Sequence, residues 1–380
     1  MSIDLRAYQA GRSEKVADYR YFVPSFINDT WLLNDPELIQ LLEVAAAAIG
    51  SLNAYSKQTP DINMFLALHI TSEAVSSSRI EGTRTTIDEA LLPEYEIPLE
   101  RIPDWKEVTN YIAALNGAIK DLESLPISTR LLCKAHRILL NSVRGEKKQP
   151  GEFRRSQNWI GGTSLSNAEF IPPHHSLIDG LMNDLENFMH NDQIYLPGLI
   201  RIGIVHYQFE TIHPFLDGNG RIGRLLITLY LVSTGMLEMP LLYLSKYLDR
   251  NKELYYEHLM KVRRENNMIA WLKYFLTAVI ETSDEAASAL SRLIDFRQEL
   301  DLKIHSNYGR RVQSARLLIN YLFENPIITV DQAKDVCSMS YKAANALVSM
   351  LHEDGILKEI TGRSRNRLFR FDPYIDTFGM

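Results

Sequence analysis

Apolar residues recur at helical spacing along most of the chain. The clearest stripe covers residues 61–80, where Leu66, Ile70 and Ala74 fall on one face and the pattern ends near Gly82. Similar patterns predict further helices at 35–52, 104–123, 127–141, 176–190, 196–210, 221–235, 251–264 and 266–282. No period of about 20–50 residues repeats, which argues against a solenoid. The pattern therefore predicts a mainly α fold.

Residues 150–173 interrupt the helical pattern. Two short apolar pieces, Asn158–Ile160 and Glu169–Ile171, flank a turn rich in Gly, Ser and Asn. This arrangement predicts a β-hairpin on an otherwise helical body. Because the hairpin comes just before the segment with the candidate chemistry, we interpret it as a flap on the substrate side.

The last third of the chain has the pattern of a separate module. Residues 283–310 predict a long polar helix that serves as a connector. Beyond it, two helices at Val330–Cys337 and Ser340–Gly355 are separated by a turn and followed by a two-stranded tail. A helix-turn-helix followed by a hairpin is typical of a winged-helix domain, which we predict for residues 311–380.

Composition and charge narrow the class of protein. Hydrophobic residues make up 46% and charged residues 23%, which argues against extensive disorder. The 41 basic and 47 acidic side chains give a net charge of −6, so the chain as a whole is not a polycationic nucleic-acid binder. The two cysteines, Cys133 and Cys337, exclude a disulfide framework and a Cys-rich zinc site.

No segment has the sequence of a targeting signal or of a membrane span. The N-terminal residues are polar and form no apolar signal-peptide core. The charge-free run most like a span, Leu225–Leu237, is shorter than the roughly 20 residues that a bilayer needs. We therefore predict a cytoplasmic protein with reduced thiols and no membrane contact.

The segment from His213 to Arg224, HPFLDGNGRIGR, has the composition of a phosphate site. Its Gly218-Asn219-Gly220 run directly precedes the predicted helix 221–235, where backbone N–H groups and the helix dipole attract an anion. Arg221 and Arg224 are three residues apart and project from one face of the first helical turn toward the same anion. The pattern predicts a site for a polyphosphate.

Two further side chains of this segment complete a chemical site. Asp217 adjoins the anion loop, and a carboxylate among phosphates favours Mg²⁺. His213 is close enough along the loop to act as a general base on an incoming hydroxyl. Together these residues fit nucleotide-dependent transfer to a hydroxyl better than hydrolysis by a nucleophilic side chain.

The same segment fits, at every defined position, the motif HxFx(D/E)GNGRxxR, and the chain resembles the Fic (filamentation induced by cAMP) family. PGEFRRSQNWIGG is similar to the Fic flap, and His206–Glu210 is similar to the helix that leads into the motif. The resemblance covers about residues 20–280. The predicted domains are an N-terminal helical region with the inhibitory helix (1–100), the Fic catalytic core (101–282), the connector (283–310) and the winged helix (311–380).

The resemblance implies protein adenylylation. His213 would deprotonate a Ser, Thr or Tyr hydroxyl of a target protein, and that oxygen would attack the α-phosphate of ATP and release pyrophosphate. Asp217 would hold Mg²⁺ between the phosphates. The loop residues Gly218, Asn219 and Gly220 would stabilise the charge on the α-phosphate. The target would dock on the flap, at about residues 156–170, by strand addition.

Other residues are assigned to the nucleotide by the same resemblance. Arg221 would contact the β-phosphate side and Arg224 the γ-phosphate, with Ile222 and Gly223 in the same helical turn. Tyr255 corresponds to the adenine side and is assigned to the base. A tyrosine on an amphipathic helix is also a common core residue, so both interpretations of Tyr255 remain open. The family resemblance also implies a homodimer.

A second motif bears on regulation. The segment SSRIEG at 77–82 is similar to the inhibitory (S/T)xxxE(G/N) helix of the Fic family, with Ser77 and Glu81 on one helical face. A Glu81 carboxylate paired with Arg224 would occupy the place of the γ-phosphate, so that ATP binds out of line for attack. Some relatives use this glutamate to position water for removal of AMP, which leaves a second role open for Glu81.

Two other functions remain open. A few Fic relatives transfer phosphate or phosphocholine, or act mainly as de-adenylylases. Alternatively, the chain is a DNA-binding regulator whose Fic core senses nucleotide, because the tail at 356–371 carries five basic residues and one acidic residue. DNA binding through residues 311–380 is the weaker alternative, since the candidate recognition helix has a single lysine, Lys342.

Overall fold

The computed structural model describes residues 2–16, 18–59, 62–141 and 148–378. Its α-helices are Pro36–Gln58 (α1), Ile62–Ile80 (α2), Ile87–Leu91 (α3), Ile102–Asp121 (α4), Thr129–Leu139 (α5), Ile178–His190 (α6), Gly198–Ile212 (α7), Asn219–Ser233 (α8), Ser245–Arg250 (α9), Lys252–Glu265 (α10), Met268–Asn307 (α11), Val312–Glu324 (α12), Val330–Val336 (α13), Tyr341–Glu353 (α14) and Asp372–Asp376 (α15). Its strands are Ser2–Asp4 (β1), Gly11–Val16 (β2), Tyr19–Pro24 (β3), Thr30–Leu32 (β4), Ile327–Thr329 (β5), Lys358–Glu359 (β6) and Leu368–Arg370 (β7). The fold is mainly α, as predicted.

Helices α7 and α8 form the centre of the fold. Every residue of α7 from Leu199 to Ile212 is buried, and α8 is buried without a break from Arg221 to Leu231. Apolar side chains on all sides of a helix suit packing on all sides, and α7 packs against α6, α8 and α11. The loop 213–218 is therefore fixed at both ends by buried helices.

Helix α2 packs against α4, α8, α9 and α12. Its last turn contains buried serines, and Gly82 follows with φ of +101°, a backbone conformation that suits glycine. Lys252 of α10 donates from Nζ to the carbonyl of Ile80 at 2.5 Å. Glu81 lies between Ile80 and Gly82 and is thus held at a fixed point at the end of α2.

The flap predicted at 150–173 is a hairpin closed by one bridge. Ile160 and Phe170 exchange backbone hydrogen bonds of 2.9 and 3.1 Å. Gly161 and Gly162 then turn the chain with φ of +68° and +67°. The pairing of the two arms does not extend beyond this bridge, because these glycines follow one arm and two prolines follow the other.

Four short strands lie within the described residues from 2 to 32, where an N-terminal helical region is predicted. β1 pairs with β4 in parallel, and β2 pairs with β3 in an antiparallel ribbon. Aromatic residues in β3, such as Tyr19 and Tyr21, favour extended structure over helix. The ribbon also reaches the flap, because Phe22 donates its backbone N–H to the carbonyl of Ile171 at 2.9 Å.

Helix α11 is one continuous helix where the sequence pattern predicts two, at 266–282 and 283–310. Its 40 residues include neither Gly nor Pro, so the change from apolar to polar composition alters its surroundings without ending the helix. The predicted boundary between core and connector at 282/283 falls inside this continuous helix.

The C-terminal elements follow α11 in the predicted order. Helix α12 precedes β5, α13 and α14 follow across a short turn, and β6 and β7 complete a sheet with strand order β5-β7-β6. The assignment of this unit as a winged-helix domain stays a prediction.

One described helix, α1, is long and apolar enough to cross a membrane by length and composition alone. It packs along α11. The run that the sequence singles out, Leu225–Leu237, begins within the buried part of α8. The absence of membrane contact stays a prediction.

Candidate active site

The candidate site lies in the turn between α7 and α8. His213 ends α7 in the left-handed conformation, with φ of 50°, and Gly218 begins α8 with φ of 76°. The side chain of Asn219 closes the loop on itself: its Oδ1 accepts the N–H of Phe215 at 2.8 Å, and its Nδ2 donates to the carbonyl of Phe215 at 2.9 Å. Asn219 therefore shapes the anion loop through its side chain.

His136, a buried histidine that no sequence motif singles out, packs against the loop. His136 stacks on Phe215 with ring centroids 3.8 Å apart, and its Nε2 lies 2.9 Å from the carbonyl of Asp217. Its Nδ1 accepts the N–H of Gly151 at 2.8 Å. Burial lowers the pKa of His136 to about 4, so the ring is neutral and carries its proton on Nε2.

Arg154 is a second supporting residue that the sequence does not single out. Its buried guanidinium donates to the carbonyl of His213 at 3.0 Å and to that of Pro173 at 2.6 Å. It also reaches the carbonyls of Ser156 and Ile212. One side chain thus links the base of the flap to the backbone of the candidate base, and this link explains the strained conformation at His213.

The His213 ring lies largely inside the protein, with 19% of its side chain exposed. Burial, together with the charges of Arg263 and Arg154, lowers the pKa of His213 to about 3. Its Nδ1 is buried and has no hydrogen-bond partner among the described residues, while the carboxylate oxygen Oε2 of Glu210 lies 4.0 Å away. The ring is therefore neutral and able to accept a proton.

The structure brings Glu81 and Ser77 to Arg224, as the inhibitory motif predicts. Arg224 donates from Nη2 to Glu81 Oε1 at 2.7 Å and to the carbonyl of Ser77 at 2.8 Å, and from Nε to Ser77 Oγ at 2.9 Å. Burial by itself raises the pKa of Glu81, but the charge and hydrogen bond of Arg224 outweigh it, so the net pKa lies below the ordinary value. The ion pair is therefore intact at neutral pH.

The Glu81 carboxylate also touches the anion loop. A Cβ added to Gly220 would lie 2.2 Å from Glu81 Oε1 and 2.9 Å from Arg224 Nη1. Only glycine allows this close approach of carboxylate and backbone. An acidic group of the chain itself thus lies against the loop that is predicted to bind phosphate.

The two arginines of the motif have different partners, although the sequence predicts that they face one anion. Arg221 pairs with Glu107 of α4 at 3.1 Å and lies 3.5 Å from Asp217 Oδ1. Glu107 was not predicted as a site residue, because it lies 114 positions before Arg221 and belongs to no motif. Both guanidiniums are buried, so each depends on its carboxylate for charge balance.

Asp217 fits a magnesium ion that arrives with a nucleotide. Its carboxylate is 43% exposed at the mouth of the loop. Within the described ranges, no three His, Cys, Asp or Glu side chains are grouped as metal ligands. Mg²⁺ in proteins commonly uses one or two carboxylates together with substrate phosphates and water, and Asp217 suits that kind of site.

Two predicted nucleotide residues have buried side chains. Ile222 is in the hydrophobic core, so only its backbone faces the loop. The next residue, Gly223, has no side chain, and its carbonyl accepts a hydrogen bond from His206 Nδ1 at 3.0 Å. Tyr255 is 1% exposed and its hydroxyl bonds to His206 Nε2 at 2.9 Å, which favours the core interpretation of this residue. The neighbouring Tyr256 is the more exposed tyrosine, at 40%.

The fold and this loop define a helical protein with a candidate anion loop at the start of a buried helix. Residues 39–120 match the Fic/DOC family N-terminal description, and residues 126–231 match the Fic/DOC family. The chain therefore contains a Fic N-terminal domain and a Fic domain.

Curated relatives carry the name "Protein adenylyltransferase Fic". The protein of Aedes aegypti is 29% identical over 191 residues, and that of Drosophila grimshawi is 26% identical over 186 residues. The first match covers 48% of this chain and 35% of the relative, and the second covers 49% and 35%. The chain thus matches about a third of the length of these relatives.

Two solved structures share the fold. A Fic family protein from Desulfovibrio desulfuricans superposes with a TM-score of 0.56 at 20% identity, over 90% of this chain and 97% of that one. A Fic domain containing signaling protein from Bacteroides thetaiotaomicron gives 0.51 at 18% identity, over 67% and 96%. At these identities the likeness concerns the fold alone.

Proposed function

We propose that this protein is an adenylyltransferase that transfers AMP from ATP to a Ser, Thr or Tyr hydroxyl of a target protein, and that Glu81 inhibits it. The observation that carries the proposal is the arrangement around Gly220, where a carboxylate of the chain lies against an anion loop and binds Arg224. The names of the curated relatives support the same activity.

In the proposed reaction, His213 is the general base. Its Nδ1 is buried, so Nε2 is the nitrogen that takes the proton of the target hydroxyl. The hydroxyl oxygen then forms a bond to the α-phosphorus, the bond between that phosphorus and the bridging oxygen breaks, and pyrophosphate leaves. The N–H groups of the loop 218–220 lie at the start of α8, where they stabilise the charge on the α-phosphate.

The charged side chains of the loop hold the rest of the nucleotide. Arg221 lies on the β-phosphate side, and Arg224 binds the γ-phosphate once Glu81 has left it. Asp217 would hold Mg²⁺, which when bound neutralises phosphate charge. We also propose that the target segment pairs with residues 156–170 of the flap. There, the bridge occupies the backbone groups of Ile160 that face Phe170, while Trp159 is 41% exposed.

Inhibition in this proposal is a competition for Arg224. With Glu81 in place, Nε and Nη2 of the guanidinium are bonded to Ser77 and Glu81, and the γ-phosphate cannot form its bidentate pair. A nucleotide bound under these conditions does not present its α-phosphate in line with His213.

Labelling with α-³²P-ATP and Mg²⁺ tests the proposal on the full chain. We compare the wild type, Glu81→Gly, and Glu81→Gly combined with His213→Ala. The expected result is label on the enzyme or on added lysate proteins that rises in the single variant and disappears in the double variant. As a matched control, Arg79→Ala changes an exposed residue of the same helical end and leaves Glu81 in place.

The result that overturns the proposal is absence of label in every variant although each still binds ATP. Label that rises equally with Arg79→Ala would instead show that loosening the end of α2 is sufficient, and that the Glu81 carboxylate has no specific role. Profiling of other labelled nucleotides and phosphocholine donors separates adenylylation from the other transfers known for Fic relatives.

Removal of AMP is a second candidate function for the same site. Glu81 is 32% exposed and its pKa is lowered, so an ionised carboxylate faces solvent close to His213. Such a group is suited to position water. If Glu81 serves in removal, wild-type protein strips AMP from a pre-labelled target and Glu81→Gly does not.

The DNA-binding alternative receives less support from the tail. Arg363 pairs with Glu96, and Arg370 pairs with Asp88 and Asp372. These contacts use charge that a wing bound to DNA would direct at phosphates. Salt-sensitive retention on DNA that disappears on deletion of 311–380 would support the alternative. A homodimer, DNA binding and a cytoplasmic location stay predictions.

A further inference from the structure

We infer that Glu210 is the positioning residue of His213: its carboxylate accepts the Nδ1–H of the imidazole and so presents an unprotonated Nε2 to the target hydroxyl. The inference rests on the proposed function in that it assigns His213 the role of base. It adds a residue that lies outside the motif and that no part of that function requires.

The first observation is a pair of buried atoms without partners. Among the described residues, neither His213 Nδ1 nor Glu210 Oε1 has a hydrogen-bond partner. The two residues are one helical turn apart, and Glu210 Oε2 lies 4.0 Å from Nδ1. The buried ring nitrogen without a partner thus faces a buried carboxylate, whose nearer oxygen, Oε2, is the candidate acceptor of the Nδ1–H.

The second observation is that nearby cations are committed elsewhere. Arg154 donates to backbone carbonyls, including that of His213. Arg263 donates to the carbonyl of Glu210 and to Thr211 Oγ1 rather than to the carboxylate. Arg224 is bonded to Glu81 and Ser77. The Glu210 carboxylate therefore remains available to His213.

The third observation is that the backbone of α8 is shaped around this carboxylate. A Cβ added to Gly223 would lie 2.3 Å from Glu210 Oε1. The glycine in the middle of GRIGR thus makes room for the Glu210 side chain next to the catalytic loop. Its presence in a buried helix, where glycine is less favourable than alanine, is explained by this close approach.

The electrostatics of the site indicate how this contact assists the proposed reaction. Burial, Arg263 and Arg154 lower the pKa of His213 to about 3, which opposes the positive charge that the ring acquires when it takes a proton. Glu81 partly offsets this effect, but in the proposed mechanism it is displaced when ATP binds. Glu210 is then the carboxylate that remains beside the ring.

The proton inventory follows from this arrangement. The Nδ1 proton stays on the ring and is shared with Glu210, while the hydroxyl proton moves to Nε2. The resulting imidazolium is paired with the Glu210 carboxylate, as in other histidine–carboxylate pairs of enzymes. Burial raises the pKa of Glu210 to about 7. The charged and titratable groups that face it are Glu81, Arg154, Arg224, Tyr255, Tyr256 and Arg263.

The test uses the full chain with Glu81→Gly, so that activity is measurable, and adds Glu210→Gln or Glu210→Leu. Glutamine still accepts the Nδ1–H but carries no charge, and we expect kcat to fall about tenfold. Leucine does neither, and we expect a fall of about a hundredfold. The KM for ATP is expected to change less than kcat, because the hydrogen bonds and the ion pair of Arg224 go to Ser77 and Glu81 and not to Glu210.

The pH profile distinguishes positioning from a structural role. Removal of the Glu210 carboxylate lowers the pKa of the His213 ring. The acid limb of the kcat profile therefore moves to lower pH in Glu210→Gln, while the maximum of kcat falls. Glu73→Gln is the matched control, since Glu73 is the other buried glutamate whose pKa is raised to about 7, and it bonds Tyr111 and Ser245 instead. We expect that control to keep the parent profile.

A second readout does not need activity. In ¹⁵N-histidine spectra of the folded protein, the His213 signal is expected to show the Nδ1–H tautomer in the parent and in Glu210→Gln, and to lose it in Glu210→Leu. An unchanged kcat and pH profile in Glu210→Gln, or the opposite tautomer in the parent, overturns the inference. If the parent transfers no AMP at all, the proposed function fails, and the tautomer still decides the contact.

Discussion

At the scale of single residues, Arg224 is bonded to the C-terminal end of α2 and to the residue that follows it. Three hydrogen bonds leave its guanidinium, one to the Glu81 carboxylate and two to Ser77. The Ser77 contacts hold the arginine in the orientation in which Glu81 meets it. The proposed inhibition therefore involves a serine as well as the glutamate that carries the charge.

We predict that Ser77→Ala weakens inhibition. The change removes the hydroxyl that accepts from Arg224 Nε but keeps the carbonyl contact, and a hydrogen bond of this kind contributes about 1 kcal/mol. Basal labelling with α-³²P-ATP should therefore rise about fivefold. Ser78→Ala is the control, because Ser78 is equally buried and its hydroxyl has no partner among the described residues. Equal labelling by the two variants would contradict the prediction.

The sequence predicts the residues of the site that share a short segment and misses those that reach it from elsewhere. His213, Asp217 and the glycines follow from spacing, because an anion loop before a helix is a local arrangement. Glu107 and Arg154 have no such signal, since their contacts join positions 114 and 59 residues apart. The contact between Glu81 and Arg224 joins positions 143 residues apart, but a motif at the end of α2 predicts it.

At the scale of elements, the flap depends on its turn. Gly162 has φ of +67°, and a Cβ there would lie 2.3 Å from the carbonyl oxygen of Asn167. A side chain at this position is strained in its backbone and also collides with the opposite arm. The bridge between Ile160 and Phe170 is the one pairing that closes the hairpin in the described structure.

We predict that Gly162→Ala opens the flap and impairs transfer to target proteins. In the Glu81→Gly background, label on lysate proteins should fall roughly tenfold, because the arm that aligns the target is displaced, while ATP affinity is unchanged. Gly180→Ala in α6 is the control, since an added Cβ there meets no atom within 4 Å. If both variants label lysate proteins equally, strand addition at the flap is not how targets bind.

The helices were predictable because apolar periodicity is a local property, and α2 begins and ends within one residue of its predicted bounds. β1 and β4 were not, because their pairing joins distant positions, as between Ile3 and Trp31. β2 is a polar segment, GRSEKV, that shows no clear alternation of apolar and polar residues. The continuity of α11 was also missed, since a change in composition resembles a boundary when no partner helix is known.

At the scale of the whole molecule, Glu73 joins three helices in the core. It accepts from Tyr111 of α4 at 2.8 Å and from Ser245 of α9 at 2.5 Å. Burial raises the pKa of Glu73 from 4.5 to about 7. The folded state therefore favours the neutral acid. This contribution to stability is full below about pH 4.5 and is lost as the pH rises through about 7.

We predict that Glu73→Gln, which cannot ionise, flattens the dependence of stability on pH. Between pH 5 and pH 8 the wild type should lose on the order of 2 kcal/mol relative to the variant. Urea unfolding of both proteins at several pH values measures the difference. Glu100→Gln, a change at an exposed glutamate, should run parallel to the wild type. A constant difference between wild type and Glu73→Gln would contradict the assigned pKa.

The C-terminal module contacts the region that carries Glu81 through the packing of α12 on α2 and through side chains of its tail. Phe378 stacks on Phe65 of α2 with ring centroids 4.8 Å apart. Arg363 of the tail forms a bidentate pair with Glu96 at 2.6 and 3.0 Å, in the segment that follows α2 and α3. Contacts of this kind make the position of α2 depend on the module, and so connect inhibition to residues that are far from the site in sequence.

We predict that reversing the charge of either residue in this ion pair weakens the module's contact, and that reversing both charges restores it. Arg363→Glu and Glu96→Arg each place like charges together. Each should lower the midpoint of thermal unfolding and raise basal labelling about two- to fivefold, because an attractive pair is replaced by like charges. The double variant should return both quantities toward wild type, because the cycle isolates the pair. Arg365→Glu, on the same exposed turn, should change neither. Labelling that stays constant while the unfolding midpoint follows the cycle would show that the module stabilises the fold without acting on Glu81.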